Sequence, residues 1–259
     1  MFDTHAHLNF EAFKDSFDDV IKKSRDDGVL NIVVPGTDFD TSKKAVEIAT
    51  DYEGIYSAVG IHPTKELDLK NLETDVYKIE ELANFEKVVA IGEIGLDYYR
   101  FKSPASVQKK YFEAQVKIAK KLDKTLIIHN RHAGREVVRS VEKFWDNSLS
   151  QRTVFHCCEV DYEMLSFALE KGIFIGVDGD VTFDKTKQKF ISEVPINQLV
   201  VETDSPYILP EPKRSEKAFP NTSSNLIYII ESVSTIKKLP TDEVKRITSL
   251  NAKTLFALN

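Results

Sequence analysis

Six residues of the kinds that hold divalent ions stand at the ends of short apolar runs. The first run closes in His5-Ala6-His7. The fourth leads into Glu93 within Ile91-Gly92-Glu93-Ile94-Gly95-Leu96-Asp97. The fifth and sixth end in His129 and His156, and the eighth, Val200-Val201-Glu202-Thr203-Asp204, ends in Asp204. Side chains alternate along a strand, so His5 and His7 share one side and Ala6 takes the other. Four imidazoles and two carboxylates over-supply one ion and suit two. The set divides into His5, His7 and Asp204 for one ion and His129 and His156 for the other, with Glu93 bridging. Such ion pairs lie ~3.5–4 Å apart and share a water or hydroxide, the attacking group of metal-assisted hydrolysis. Singly, each residue has an ordinary reading as a surface pair, a hydrogen-bonded core histidine or a turn carboxylate. Their joint placement favours the metal.

The elements that must carry these residues repeat one pattern, a short β-branched run followed by an amphipathic helical stretch. The runs are Met1–Thr4, Leu30–Val34, Ile55–Val59, Val88–Gly92, Thr125–Ile128, Thr153–Phe155, Ile173–Val177 and Leu199–Glu202. They are nearly continuous in hydrophobicity, as parallel strands covered on both faces must be. Between them, Phe13, Phe17, Val20, Ile21 and Ser24 step at helical spacing. So do Phe112, Val116, Ala119 and Leu122, and Met164, Leu165, Ala168 and Leu169 before Gly172. Two more helices are expected near the end, one from Ser223 to about Lys237 and one after Pro240 with Thr241 as N-cap. Eight such units in 259 residues predict an α/β fold, a (β/α)8 TIM barrel with the metal site at the C-terminal face of its strands. A doubly wound open sheet is the runner-up; against it, no Gly-x-Gly-x-x-Gly follows the first strand.

No Pro- or Gly/Ser-rich linker divides the chain, so residues 1–259 are read as one hydrolase domain. Hydrophobic residues make up 42% and charged residues 29%, a globular balance that excludes a disordered chain. No apolar run approaches the ~20 residues of a membrane span. The opening Met1-Phe2-Asp3-Thr4-His5 has neither the basic stretch nor the apolar core of a signal peptide. The two cysteines, Cys157 and Cys158, are adjacent and offer no disulfide framework, so a cytoplasmic setting is expected. The formal charge of −6 does not suit a protein that coats nucleic acid.

These residues resemble the TatD-related deoxyribonucleases, a branch of the amidohydrolase-type metal-dependent hydrolases. The likeness spans nearly the whole chain. It rests on Phe2-Asp3-Thr4-His5-Ala6-His7-Leu8, Gly60-Ile61-His62-Pro63, Gly92-Glu93-Ile94-Gly95-Leu96-Asp97-Tyr98-Tyr99, Ile128-His129-Asn130-Arg131, Phe155-His156-Cys157, Glu202-Thr203-Asp204-Ser205-Pro206-Tyr207, and Asn251-Ala252 with Leu255-Phe256. The resemblance implies that His5, His7, Glu93, His129, His156 and Asp204 bind metal, with Mg2+, Mn2+ and Zn2+ all fitting. It also implies cleavage of DNA, often from a 3′ end. Two segments depart from the pattern. Ala218-Phe219-Pro220 stands where many members carry Asn-Glu-Pro, and Asp178 where many carry serine. Neither touches a ligand, and both bear on substrate handling.

The expected reaction is in-line attack of a metal-bound hydroxide on phosphorus, with Asp204 taking the proton. Two divalent ions set against Glu93, Asp204 and a hydroxide leave about +1 on the rim, enough to draw a phosphodiester without a basic surface. The expected substrates are DNA strand ends or short single strands; no membrane and no obligate protein partner is implied. Around the ions, Arg131 is read as a phosphate clamp or a surface ion pair. His62 is a contact to phosphate or the leaving oxygen, or a helix-start cap. Asp97 orients a ligand histidine or serves its own turn. Tyr98 and Tyr99 stack on bases or pack inward, and Ser205 touches substrate or caps a turn. Lys213, Arg214 and Lys217 form the best basic cluster, with a solvated loop as the plain alternative. His132 is read as structural, and Cys157 and Cys158 as a reduced core pair. Two competing functions are a hydrolase of an amide, lactone or aminoacyl ester, and a non-catalytic metal- or nucleic-acid-binding barrel. Related hydrolases of the first kind bridge their metals with a carboxylated lysine, and Glu93 stands there instead.

Overall fold

A computed structural model describes residues 1–258. Eight parallel strands pair in chain order, β1 (Phe2–Asp3), β2 (Asn31–Pro35), β3 (Ile55–Val59), β4 (Val88–Asp97), β5 (Thr125–Arg131), β6 (Thr153–Phe155), β7 (Phe174–Val177) and β8 (Leu199–Val201). The last meets the first beyond their ladder ends. Thr4 N donates to Val201 O, Asp204 N to His5 O at 2.9 Å and His7 N to Ser205 O at 2.7 Å, and Ala6 bridges Ser205 in parallel. The sheet is thus a TIM barrel, and the open-sheet alternative falls away.

Helices follow the strands: α1 (Phe17–Asp26), α2 (Phe39–Asp51), α3 (Leu72–Ala83), α4 (Ala105–Lys121), α5 (Gly134–Phe144), α6 (Tyr162–Lys171), α7 (Lys185–Glu193), α8 (Leu226–Lys237) and α9 (Thr241–Leu255). Their apolar stripes pack on the strands. Ile79, Tyr111, Phe112, Val137, Met164, Phe190 and Ile229 join Ile91, Ile128, Phe155 and Ile175 in one buried cluster. Local chemistry sets the ends. Asp38 begins α2 with a reciprocal capping box to Thr41, Asp161 caps α6, and Gly172 closes α6 with a left-handed residue. No helix among the described residues is long and apolar enough to cross a membrane.

Several boundaries differ from the sequence expectation; the helix expected from Ser223, for one, begins at Leu226 after a 3-10 turn over Ser223–Asn225. The first helix starts at Phe17, because Glu11–Phe13 form a separate 3-10 turn. Thr241 is the first helical residue of α9 and not its cap; Pro240, extended at ψ 141°, holds the cap position. Strand β4 does not stop at Gly92 but runs to Asp97, and β5 runs to Arg131. Their pairing shifts register between Ile91 and Ile94, then resumes at Ile94–Ile128 through Asp97–Arg131. His129 therefore lies inside the paired stretch, opposite Gly95, whereas Glu93 sits at the register shift, where its amide donates to Gly36 O at 3.1 Å.

Candidate metal centre

The C-terminal rim gathers all six of the ion-holding residues that the sequence singled out. Glu93, fourteen-fifteenths or more buried at 4% exposure, stands at the middle. Its Oε2 lies 3.6 Å from His5 Nε2 and 3.5 Å from His7 Nε2. Its Oε1 faces the other way, 2.9 Å from His129 Nδ1, 3.2 Å from His62 Nε2 and 3.5 Å from His156 Nε2. Asp204 Oδ1 completes the first group at 3.7 Å from His5 Nε2 and 3.6 Å from His7 Nε2, and it is 3.8 Å from His156 Nε2.

These separations test whether an ion fits. Four ligands ~2.0–2.2 Å from one tetrahedral ion lie ~3.3–3.6 Å from each other. Among His5, His7, Glu93 Oε2 and Asp204 Oδ1, the five edges that include a ring nitrogen run from 3.2 Å (His5 Nε2 to His7 Nε2) to 3.7 Å. Two ring nitrogens and two carboxylate oxygens thus surround a gap of the size a Zn2+- or Mn2+-like ion needs. The donor set fits a divalent ion there.

The second group holds one residue beyond the expected pair. His129 and His156 both face Glu93 Oε1, at 2.9 and 3.5 Å. His62 joins them there, and the His156 ring also stacks on His5 at 3.5 Å. The His62 and His129 rings meet edge to face at 4.3 Å. Asp97 orients His129. Its Oδ2 lies 3.1 Å from His129 Nε2 and so turns Nδ1 toward Glu93. Asp97 is itself fixed by the amides of Tyr99 and Arg100 at 2.9 and 2.6 Å.

Burial and packed charge set the protonation of these groups. Burial, then His156, pushes His5 down to about 3. Burial opposes ionisation of Glu93, yet His62 and His156 hold it well below the usual carboxylate range. Burial raises Asp204 to about 7. His156 is pushed up to about 10: burial works against its charge, and Glu202 and Glu93 outweigh it. Asp204 also sits at φ 48°, in left-handed backbone that an aspartate tolerates better than most residues, held there by its amide bond to His5 O.

Glu202 is a residue whose role sequence reasoning missed. Its Oε1 lies 3.0 Å from His156 Nδ1 and accepts from Cys157 N at 2.6 Å, and Thr4 Oγ1 donates to its Oε2 at 3.3 Å. Gly176 makes room for it: a Cβ there would stand 2.3 Å from Glu202 Oε1. The available signal was an acid two residues before Asp204 in an otherwise apolar strand, where an unpaired charge is costly.

The other candidates fall in different places. Arg131 stands on the exposed rim, its Nε 3.4 Å from Glu159 Oε1 and its guanidinium over the Tyr99 ring at 5.5 Å. Tyr99 is exposed and meets the His132 ring, whereas Tyr98 packs against the core cluster. Ser205 is fully buried in the β8–β1 closure and its hydroxyl has no partner. Asp178 turns inward: it caps the following 3-10 turn through Asp180 N and pairs with buried Lys187 at 3.6 Å, which also donates to Cys158 O. Lys213 and Arg214 are paired with Glu216 and Glu211. Cys157 and Cys158 are free thiols, both pushed up chiefly by burial, Cys158 to about 12.

The chain has relatives among known proteins. The model of the TatD related DNase family matches residues 2–257. An uncharacterised metal-dependent hydrolase of Bacillus subtilis, YabD, is 36% identical, over 100% of both chains. The 3′-5′ ssDNA/RNA exonuclease TatD of Escherichia coli is 30% identical, over 100% of this chain and 99% of its own. Among solved structures, the TatD homologue YJJV of Escherichia coli superposes with a TM-score of 0.88 at 24% identity, covering 100% of this chain and 98% of that one.

Proposed function

Since the chain belongs to the TatD-related DNase family and is a metal-dependent hydrolase, we propose that it removes nucleotides from the ends of single-stranded DNA, in the 3′ to 5′ direction, using two divalent ions. The observation that carries the reading is Glu93: its two oxygens face two different sets of imidazoles, as a bridging carboxylate must. A related exonuclease of Escherichia coli acts on single strands of DNA and RNA with that polarity, which supports the substrate class.

His5, His7 and Asp204 would hold one ion and His129 and His156 the other, with Glu93 between; Mg2+, Mn2+ and Zn2+ each suit nitrogen and carboxylate donors. Bound ions supply Lewis acidity toward a phosphoryl oxygen and acidify water. The remaining work belongs to the chain. Asp204, on the rim side of the cluster, accepts the proton of the attacking water. His62, with Nδ1 engaged by Thr64 at 2.7 Å and Nε2 turned inward, is placed to donate to the leaving oxygen. Asp97 and Glu202 keep His129 and His156 oriented. Arg131 and Tyr99 on the rim receive the strand behind the scissile phosphate, a cation for phosphate and a ring for a base. A cytoplasmic setting suits its free thiols.

The test is a time course on end-labelled single-stranded and duplex oligonucleotides with each metal. A ladder from the 3′ end, stopped by EDTA and restored by Mg2+ or Mn2+, is the expected result. Intact oligonucleotides alongside hydrolysis of lactones or carboxylic esters would overturn it.

A further inference from the structure

A cavity adjoins the metal centre but takes no part in it. It measures about 520 Å3 and opens between the β1 and β8 loops. That lies within the ~300–1,000 Å3 of sites that take a small molecule. Its connection to the centre is direct: the Phe10 ring, in its wall, stacks on the His7 ring at 4.3 Å and 15°. Pro206 and Tyr207, in the opposite wall, follow Asp204 by two and three residues. Phe219, 64% exposed, and Tyr207, 50% exposed, bring two more rings to it.

Three rings facing open space beside a site for phosphate have an obvious complement. We infer that this cleft is the subsite for the terminal base of the strand, held by stacking among Phe10, Tyr207 and Phe219; the inference rests on the nuclease reading above. Two further observations point to a base and not to a phosphate. The outer wall carries no excess of cations to recruit a phosphate: Glu11 and Asp40 stand with Lys44, and Lys14 pairs with Glu11 at 2.8 Å. Asn9, 3% exposed and in the inner wall, donates its Nδ2 to Pro35 O and Thr41 O, and its Oδ1 has no partner. A ring N–H or exocyclic amine supplies the missing donor.

The test compares single strands that end in an ordinary nucleotide with identical strands that end in an abasic one. Metal-loaded wild type should favour the base-bearing end at least tenfold in kcat/KM, mainly through KM. Phe219→Ala and Tyr207→Ala, which truncate exposed rings and leave the core intact, should each reduce that preference about fivefold or more. Phe219→Trp should restore it. A wild type indifferent to the terminal base, or variants that keep the full preference, would overturn the subsite. If wild type hydrolyses neither strand, the nuclease reading fails on its own, and binding then decides. Nucleoside 5′-monophosphates should bind at least fivefold tighter than ribose 5-phosphate by NMR titration, and Phe219→Ala should remove the difference. Equal binding of the two would reject the subsite.

Discussion

Glu202 and His156 form a contact at 3.0 Å between a carboxylate and the ring nitrogen that faces away from the cluster, so the buried acid fixes which face of the imidazole looks toward Glu93. Removing partners of this kind costs ~10–100-fold in metal affinity or activity. Glu202→Gln should weaken metal binding by that factor, measured by competition with a chromophoric chelator. Gly176→Ala leaves the carboxylate in the chain but occupies its place, with Cβ 2.3 Å from Oε1. It should show the same weakening. Unchanged affinity in both variants would mean that His156 needs no orientation.

Glu93→Gln removes the charge shared by both groups while keeping the shape. Turnover should fall ~10³-fold or more, the equivalent of ~4 kcal/mol, and elemental analysis should find fewer than two ions per chain. His62→Ala should lose turnover and keep both ions. A drop in its ion content would move His62 from the leaving group into the ligand set.

Asp97 carries a pH signature. Burial disfavours its charge, but the bond with His129 and the amides of Arg100 and Tyr99 outweigh burial and hold it at about 2, below the ordinary 3.8. Its folded value is depressed, so its contribution is complete above about pH 4 and is lost as pH falls through about 2. In chelator-treated protein, the stability of Asp97→Asn should therefore vary less than wild type between pH 4 and pH 2, read from urea midpoints. Parallel curves would refute the assignment.

The thiols should be silent. With Cys158 pushed up to about 12 and Cys157 raised as well, little thiolate exists at pH 8. Iodoacetamide should label neither in the native protein over an hour and both after denaturation, as read by intact mass. Fast native labelling of Cys157 would place a thiolate on the rim.

Asp3 is buried and accepts from Thr203 N and Thr203 Oγ1 at 3.0 and 2.7 Å, across the β1–β8 seam. Asp3→Ala strands both donors and should cost ~2–4 kcal/mol in urea unfolding, against ~1 kcal/mol for Thr203→Val. Equal small losses would show that other bonds close the seam.

The barrel and the gathering of six candidate ligands on its rim were legible because both are one-dimensional signals. Continuous apolar runs mark buried parallel strands, and a polar residue at such a run's end marks the rim. Strands β3 and β6 fall on their expected residues for that reason. The passage of β4 through Gly92 and Gly95 was not legible, since glycines read as a stop while here they let the backbone pass close to Ile127 and His129. The approach of His62 to Glu93 was hidden too. Strand order sets who is near, but Asp97 and Glu202 set which nitrogen points where, and those contacts depend on side-chain rotation. The rings of Phe10, Tyr207 and Phe219 come from loops 200 residues apart, and no periodicity links them.

The two strands that close the barrel are the first and the last to be synthesised, and the candidate ligands sit on both. His5 and His7 precede Asp204 in the chain by about 200 residues, with Glu93 between them. The cluster is therefore complete only once β8 has docked beside β1. An ion held by His5, His7 and Asp204 would fasten the eighth strand to the first and add its binding free energy to the closure of the barrel.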